Sequence, residues 1–399
     1  MKKVFCSILI FLIIGFAISI MLPQGIYAAG ESNDEIFDKL DQSVDEQLGM
    51  LDLSGLDKIL EELGLEDGGL FENKTFTEKV QSILDGEFAE DTQGFLQAFL
   101  KLIFDGIIKL LPVLSGIAVV AILCGIITNM KSGFMSQATG EIIFFACFAL
   151  VIVLTLSCAA GLIESAENAV QLLKKQMNLA FPILLTLMAG VGGVVSAKAY
   201  QPAVALLSGG VAEIVANVIL PLFVFTLVFS VVGNLSKSVK LSKLTDFFKS
   251  TSVTILAITF TVFTAFMSVQ GLTAGAFDSV SIRAAKFATK SYIPILGGYL
   301  ADGFDLILAG GILVKNSVGV AGLLLLVSTI LSPIMQILAV TFGLKLVAAI
   351  VEPATDERIT SFLTSVSKNL NMLIVAIIAV AFMYFISIML LIFTSNAFF

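Results

Sequence analysis

The chain has 399 residues, 57% hydrophobic and 14% charged, with a formal net charge of -8 at pH 7. Histidine and tryptophan are absent, which excludes a histidine metal site, a histidine proton relay and a Ser-His-Asp triad, so no enzyme and no cofactor are expected. Uninterrupted apolar runs of spanning length from about residue 100 onward make the class all-α, a polytopic helical membrane protein.

The charge is divided. Residues 31–100 hold 19 acids and 4 bases, whereas 101–399 hold 12 acids and 17 bases. The cysteines add no framework: Cys6 lies near the N-terminus, and Cys124, Cys147 and Cys158 lie in apolar runs. On one helix Cys147 and Cys158 would stand ~16 Å apart, too far to bridge.

Residues 1–30 have the pattern of an export signal. Lys2 and Lys3 form a basic start, Val4 to Leu22 is apolar, Pro23 breaks it, and Ala28-Ala29-Gly30 offers small residues for cleavage. The nineteen apolar residues also suit a retained anchor. Either way residues 31–95 are expected on the extracytoplasmic side, as an acidic helical region. Capping-box spacing joins Ser32 to Glu35 and Thr75 to Glu78. Three apolar stripes follow: Ile36, Leu40, Val44 and Leu48; Leu56, Ile59, Leu60 and Leu63; Phe76, Val80, Ile83 and Leu84. Such short stripes bury only a small core, so the helices need each other, the membrane domain or a partner chain.

The multi-span domain is expected over 96–399, with about eight spans and a range of 7–10. Leu102 to Ile127 carries Asp105 and Lys109 at pairing distance, and Ile142 to Leu162 is a clean span. Ile163 to Asn178 reads as an amphipathic connector. Leu179 to Val195 contains Pro182, and Ala203 to Val232 contains Glu213 and Pro221. The thirty residues from Ala203 would extend ~45 Å against a hydrocarbon core of ~30 Å, so that run must tilt, kink or break, with Pro221 the place. A lysine-rich segment, Asn234 to Ser250, precedes a span from about Val253 to Gly271. Val318 to Val351 is again overlong and holds Pro333. Glu352 to Asn371 reads as interfacial through Ile359, Phe362, Leu363, Val366 and Leu370, and Leu373 to Phe393 is the last clean span.

The most distinctive stretch is Arg283 to Gly311. Phe277, Val280, Ala284, Phe287 and Ala288 share one helical face, and Arg283, Lys286 and Lys290 the opposite one, which suits a helix on a lipid surface. Pro294 and Gly297-Gly298 then open an apolar run in which Asp302 and Asp305 follow on one face. Carboxylates at bilayer depth are costly and seldom incidental, so these acids line a functional polar site or stay wet at the interface. With Glu213 they are the candidate membrane polar site, Lys315 and Lys345 being basic partners within reach. Pro182, Pro221, Pro294, Gly297, Gly298 and Pro333 are candidate hinges or kinks.

A repeat runs through these segments. Pro182 and Pro294 lie 112 positions apart, as do Pro221 and Pro333, and Phe-Pro-Ile-Leu at 181 matches Ile-Pro-Ile-Leu at 293. Lys243 to Phe248 resembles Arg358 to Leu363, and Phe263, Phe266 and Ser268 match Phe382, Phe385 and Ser387. Units at 174–273 and 286–393 with three crossings each would form a tandem inverted repeat, with Glu213 facing Asp302 and Asp305 across a pseudo-two-fold axis. Chance alignment of leucine-rich helices is the alternative. Eight alternating spans put seven basic residues on each side, so charge does not orient the domain.

The acidic N-terminal region, the glycine-rich multi-span domain and the segment Lys286-Phe287-Ala288 through Tyr292-Ile293-Pro294, Gly297-Gly298 and Asp302 resemble the stage III sporulation protein AE family. The resemblance implies a polytopic component of a transenvelope complex joining mother cell and forespore, in the mother-cell membrane, needed for late forespore gene expression. It also implies partners: the other stage III proteins of the same operon and the forespore-side channel protein. Membrane lipids are expected around the chain, and no nucleic acid. A secondary transporter with a polar site at the repeat interface is the alternative function.

Overall fold

A computed structural model describes residues 34–63, 74–85, 108, 111–127, 137–235, 241–292 and 297–396. The leader, the Asp105 and Lys109 pair and Pro294 lie outside the described residues, as does the side chain of Asp302.

All elements among the described residues are helices. Three short ones come first: α1 (Asp34–Gly49), α2 (Ser54–Glu62) and α3 (Phe76–Leu84). The Thr75 hydroxyl accepts from the Glu78 N–H at 3.1 Å and the Glu78 carboxylate accepts from the Thr75 N–H at 2.8 Å, so the capping box opens α3. Ahead of α2 the Ser54 hydroxyl and then its N–H donate to Asp52, holding that carboxyl below its ordinary range. The small stabilisation this brings is present above the ordinary carboxylate pKa and is lost as pH falls through the lowered one. Val44, Leu48, Leu56, Ile59, Leu60, Phe76, Val80 and Ile83 are buried, as their periodicity predicts. Most of that surface is buried against the membrane bundle: α1 and α3 lie on α8 and α2 lies on α5, the long helices described next.

The remaining helices are α4 (Leu111–Ile127), α5 (Gln137–Gly190), α6 (Val194–Asn234), α7 (Ser242–Tyr292), α8 (Gly297–Val351) and α9 (Glu357–Asn396). Among the described residues five helices, α5 to α9, are long and apolar enough to cross a membrane, and α4 is a shorter apolar helix. Several segments read separately among the expected eight spans are continuous. The connector at 163–178 lies within α5: Ala166, Ala169, Val170, Leu173 and Met177 bury one face, and nothing interrupts the hydrogen-bond ladder between Leu162 and Leu179. The basic segment through Lys290 likewise prolongs α7, and Gly297 to Val351 is one helix of 55 residues. Such a helix is ~80 Å long, so a large part of it projects beyond a hydrocarbon core of ~30 Å.

Pro182 and Pro333 lie inside α5 and α8. In α6 the adjustment comes before Pro221, in two wide π turns, Leu206–Val211 and Val215–Ile219, which flank Glu213. A π turn shifts the bonding pattern by one residue, accommodating the missing donor and bulky ring of the proline that follows.

Contacts fix the directions. Ser165 meets Gln336 and Gln176 meets Thr329, so α5 and α8 are antiparallel. The Ser367 hydroxyl donates to the Thr341 carbonyl at 2.9 Å, making α8 and α9 an antiparallel hairpin. Phe260 stacks on Phe382 and Lys249 Nζ lies 3.4 Å from Asn369 Oδ1, so α7 and α9 are parallel. Between the units 174–273 and 286–393 the matched long helices run the same way: α6 with α8, α7 with α9. Parallel matched helices differ from the inverted arrangement expected of three crossings in each unit.

The core is centred on α8 and α9. Val318, Ala321, Leu324, Leu325 and Leu326 are buried on α8, and Val366, Leu370, Ile377 and Val380 on α9. The face Ile359, Phe362, Leu363, Val366 and Leu370, read as interfacial, is fully buried, with Phe362 edge-on to Phe148 at 5.8 Å. Its sequence pattern is that of any amphipathic helix, and protein rather than lipid meets the apolar side.

Close approach is extreme where α4 meets the α8–α9 turn: a Cβ on Gly125 would land on the Ala354 carbonyl, whereas one on Gly161 would meet nothing. We expect Gly125→Ala to lower the unfolding temperature or the amount of protein in the membrane while Gly161→Ala changes neither, measured by thermal unfolding in detergent and membrane blotting.

Candidate functional site

The stretch that looked most distinctive forms a helical hairpin, α7 into α8. Arg283, Lys286 and Lys290 lie on the last turns of α7, with Arg283 and Lys290 exposed and Lys286 half-buried. Gly297 and Gly298 open α8. Across the hairpin Lys286 forms an ion pair with Asp305. The basic face therefore supplies a partner for one of the two acids. Neither Lys315 nor Lys345 fills that role in the described contacts.

Glu213 belongs to a different place. It pairs with Lys174 of α5, and Asn217, one turn on, donates to its other oxygen. Both ion pairs keep a share of solvent-accessible side chain, 44% for Glu213 and 39% for Asp305. Gln176, two residues from Lys174, meets Thr329 of α8, and Thr329 lies 24 residues beyond Asp305, ~36 Å of helix. Glu213 and Asp305 are thus on separate levels, each with its own lysine, and the structure does not bring them into one cavity.

Two buried charges hold this end of the bundle: Asp278, which the sequence reading did not single out, and Lys315, which it read as a partner for the membrane acids. Asp278 of α7 is 1% exposed, and its carboxylate accepts from the backbone N–H of Val195 at 2.9 Å and of Ser196 at 2.8 Å. These are among the first N–H groups of α6, which has no side-chain cap of its own at Gly193. The carboxylate of another helix thus satisfies donors that would be orphaned, at the positive end of the helix dipole. Gly192, at φ +89°, makes the turn that presents them, a conformation a side chain would strain. A lone acid one residue from Phe277 in an apolar stretch was the available signal.

Lys315, fully buried, donates from Nζ to the carbonyls of Leu391 at 3.2 Å and Ile392 at 2.8 Å, near the negative end of α9. Beside it the Tyr200 and Thr394 hydroxyls share a hydrogen bond of 2.9 Å, and Thr394 also donates to the Leu390 carbonyl. Asp278, Tyr200 and Lys315 thus join α6, α7, α8 and α9 at one level.

Removing the Asp278 carboxylate leaves the N–H groups of Val195 and of buried Ser196 without that acceptor. Asp278→Ala is expected to cost about 2 kcal/mol, read as a lower unfolding temperature in detergent. Asp278→Asn keeps one acceptor oxygen and should lose less. Equal stability of both variants and the parent would show that water replaces the cap.

The model of the family described as stage III sporulation protein AE matches residues 74–395. The stage III sporulation protein AE of Bacillus subtilis (strain 168) is 25% identical over 373 residues, covering 93% of each chain. No solved structure matches. The match takes in α3 to α9 together with the Lys286–Asp305 hairpin and the Asp278 cap, and the chain belongs to the stage III sporulation protein AE family.

Proposed function

We propose that the protein is an integral membrane component of a transenvelope channel or secretion-like complex linking mother cell and forespore, required for late forespore gene expression. In this reading it sits in the mother-cell membrane around the forespore, exported through the signal at 1–30, with residues 31–95 on the extracytoplasmic side. Its partners are other stage III proteins and the forespore-side channel protein.

The observation that carries the reading is how the acidic helices are mounted. Gln47 donates to the Ile307 carbonyl at 3.2 Å, Lys175 pairs with Glu62 at 2.8 Å, and Gly310 lies against Ser43. The apolar faces of α1 to α3 are thereby used up on the bundle. What they present outward is charge: Asp41, Asp45, Glu46 and Glu61 are exposed. A rigidly seated acidic surface suits recognition of a basic exported partner, with binding that weakens as salt rises.

The triple variant Asp41→Lys, Asp45→Lys, Glu46→Lys changes only exposed side chains, so accumulation should be unchanged. Sporulation and co-purification with the other stage III proteins should be lost. A wild-type spore yield would sink the proposal. Topology is checked separately: Met50, 80% exposed, replaced by cysteine should react with a membrane-impermeant thiol reagent in protoplasts, before lysis.

A secondary transporter is the second reading, favoured by the two π turns around the Glu213–Lys174 pair in α6. Such turns mark helices that change their hydrogen bonding during function. Solute uptake by the purified protein alone in liposomes would support it.

A further inference from the structure

The ion pairs discussed so far all lie away from the α8–α9 turn. There a cleft of about 630 Å³ opens between the end of α6 and the hairpin arms. Its walls carry four charged side chains, Lys345 and Glu352 from α8 and Glu357 and Lys368 from α9, with hydroxyls from Thr364 and Ser365 between them. None of the four charged groups is engaged in an ion pair among the described residues. Exposed and without an ion-pair partner, the two cations and two anions are free to meet a zwitterionic ligand.

The charges are ordered by depth. Glu352 and Glu357 flank the turn at the mouth. Lys345 is seven residues back along α8, ~10 Å, and Lys368 is eleven residues on along α9, ~16 Å. The Ser367–Thr341 hydrogen bond sets the register of the two arms, so both lysines lie on the inner side of the cleft. Their flexible stems let the ammonium groups reach back toward the mouth. Immediately beside the cleft α8 exposes an apolar stripe, Phe342 at 69%, Leu346 at 50% and Ile350 at 55%.

We propose that this cleft is a binding site for one phosphatidylethanolamine molecule, entering sideways from the leaflet. In that lipid the ammonium lies outermost, the phosphate one step deeper, and the acyl chains deeper still. The glutamates at the mouth accept hydrogen bonds from the ammonium, the lysines and hydroxyls bind the phosphate, and the acyl chains run along Phe342, Leu346 and Ile350. An anionic lipid such as phosphatidylglycerol would satisfy the lysines and leave the glutamates facing an uncharged glycerol. Phosphatidylcholine has no N–H to donate to them. The inference is independent of the sporulation role.

The test uses the full chain reconstituted in vesicles of equal parts phosphatidylethanolamine, phosphatidylglycerol and phosphatidylcholine, extracted briefly, with retained lipid identified by native mass spectrometry. One phosphatidylethanolamine should be retained, about tenfold over phosphatidylcholine, the ratio expected from one charge-assisted contact. Lys345→Gln with Lys368→Gln should abolish retention of all three lipids. Glu352→Gln with Glu357→Gln should keep the phosphate contact and lose the preference for phosphatidylethanolamine over phosphatidylglycerol. All four side chains are exposed, and amides preserve their shape. Retention in bulk proportions, a wild-type preference for phosphatidylglycerol, or enrichment unchanged in both variants would overturn the proposal. So would displacement of the lipid by an equal concentration of soluble phosphoethanolamine, which would make the headgroup alone the ligand.

Discussion

A charge inside an apolar bundle persists only where something fixed and opposite meets it, because no water stands ready to do so. Two buried charges meet that requirement through backbone groups, at the end of the bundle where α5 turns into α6. Asp278 takes the open N–H groups of α6, Lys315 takes two carbonyls near the end of α9, and the Tyr200–Thr394 pair lies between α6 and α9. Both charged contacts use a helix end, where the dipole concentrates partial charge and the ladder leaves groups spare. Long helices of nearly featureless apolar sequence pack with little preference for one axial position, since a leucine exchanged for a leucine one turn on costs little. Directional contacts to helix ends fix those positions, and they bring α6, α7, α8 and α9 to a common level.

Around that frame small residues set the spacing. Gly343 lies against the Leu114 side chain and Gly319 against Ile392, so α4 and α9 approach α8 where it has no side chain. The aromatic contacts Phe148–Phe362 and Phe181–Tyr384 fill the wider intervals between α5 and α9. The acidic helices α1 to α3 close the flank that α8 would otherwise present bare. The packing explains why a region with so high a proportion of charge can be continuous with a membrane bundle: its leucines face inward onto the bundle and its carboxylates face out.

Helix class, the stripes of α1 to α3 and the Thr75 cap were all readable from spacing, because local hydrogen bonding and amphipathic period depend on neighbours in sequence. Where one span ends and the next begins was not. The segment at 163–178 carries charged residues, which suggest an amphipathic connector between spans, yet its apolar positions keep helical phase and tertiary burial carries the ladder through. The same happened at Arg283 to Tyr292 and at Glu357 to Asn371. Composition reports which medium a segment prefers, not whether its backbone bonds are interrupted. The site was legible in part. Lys286 and Asp305 were both singled out, but their pairing depends on the hairpin angle, and Glu213 found Lys174 because α5 is unbroken. Asp278 and Lys315 serve main-chain groups, and main-chain acceptors leave no mark in a sequence.

The Lys315 contact also bears on the order of assembly. Its acceptors lie 76 and 77 residues later, within the last few residues of α9. While the ribosome is still adding α9, this lysine has neither the carbonyls nor the surrounding helix that bury it, and an isolated ammonium in such a place is costly. The α8 segment carrying it must therefore stay hydrated or shielded by the insertion machinery until the far end of α9 has been made. Closure of this part of the bundle then waits for Leu391 and Ile392. A chain cut short before Leu391 would leave an uncompensated charge for quality-control proteases to find.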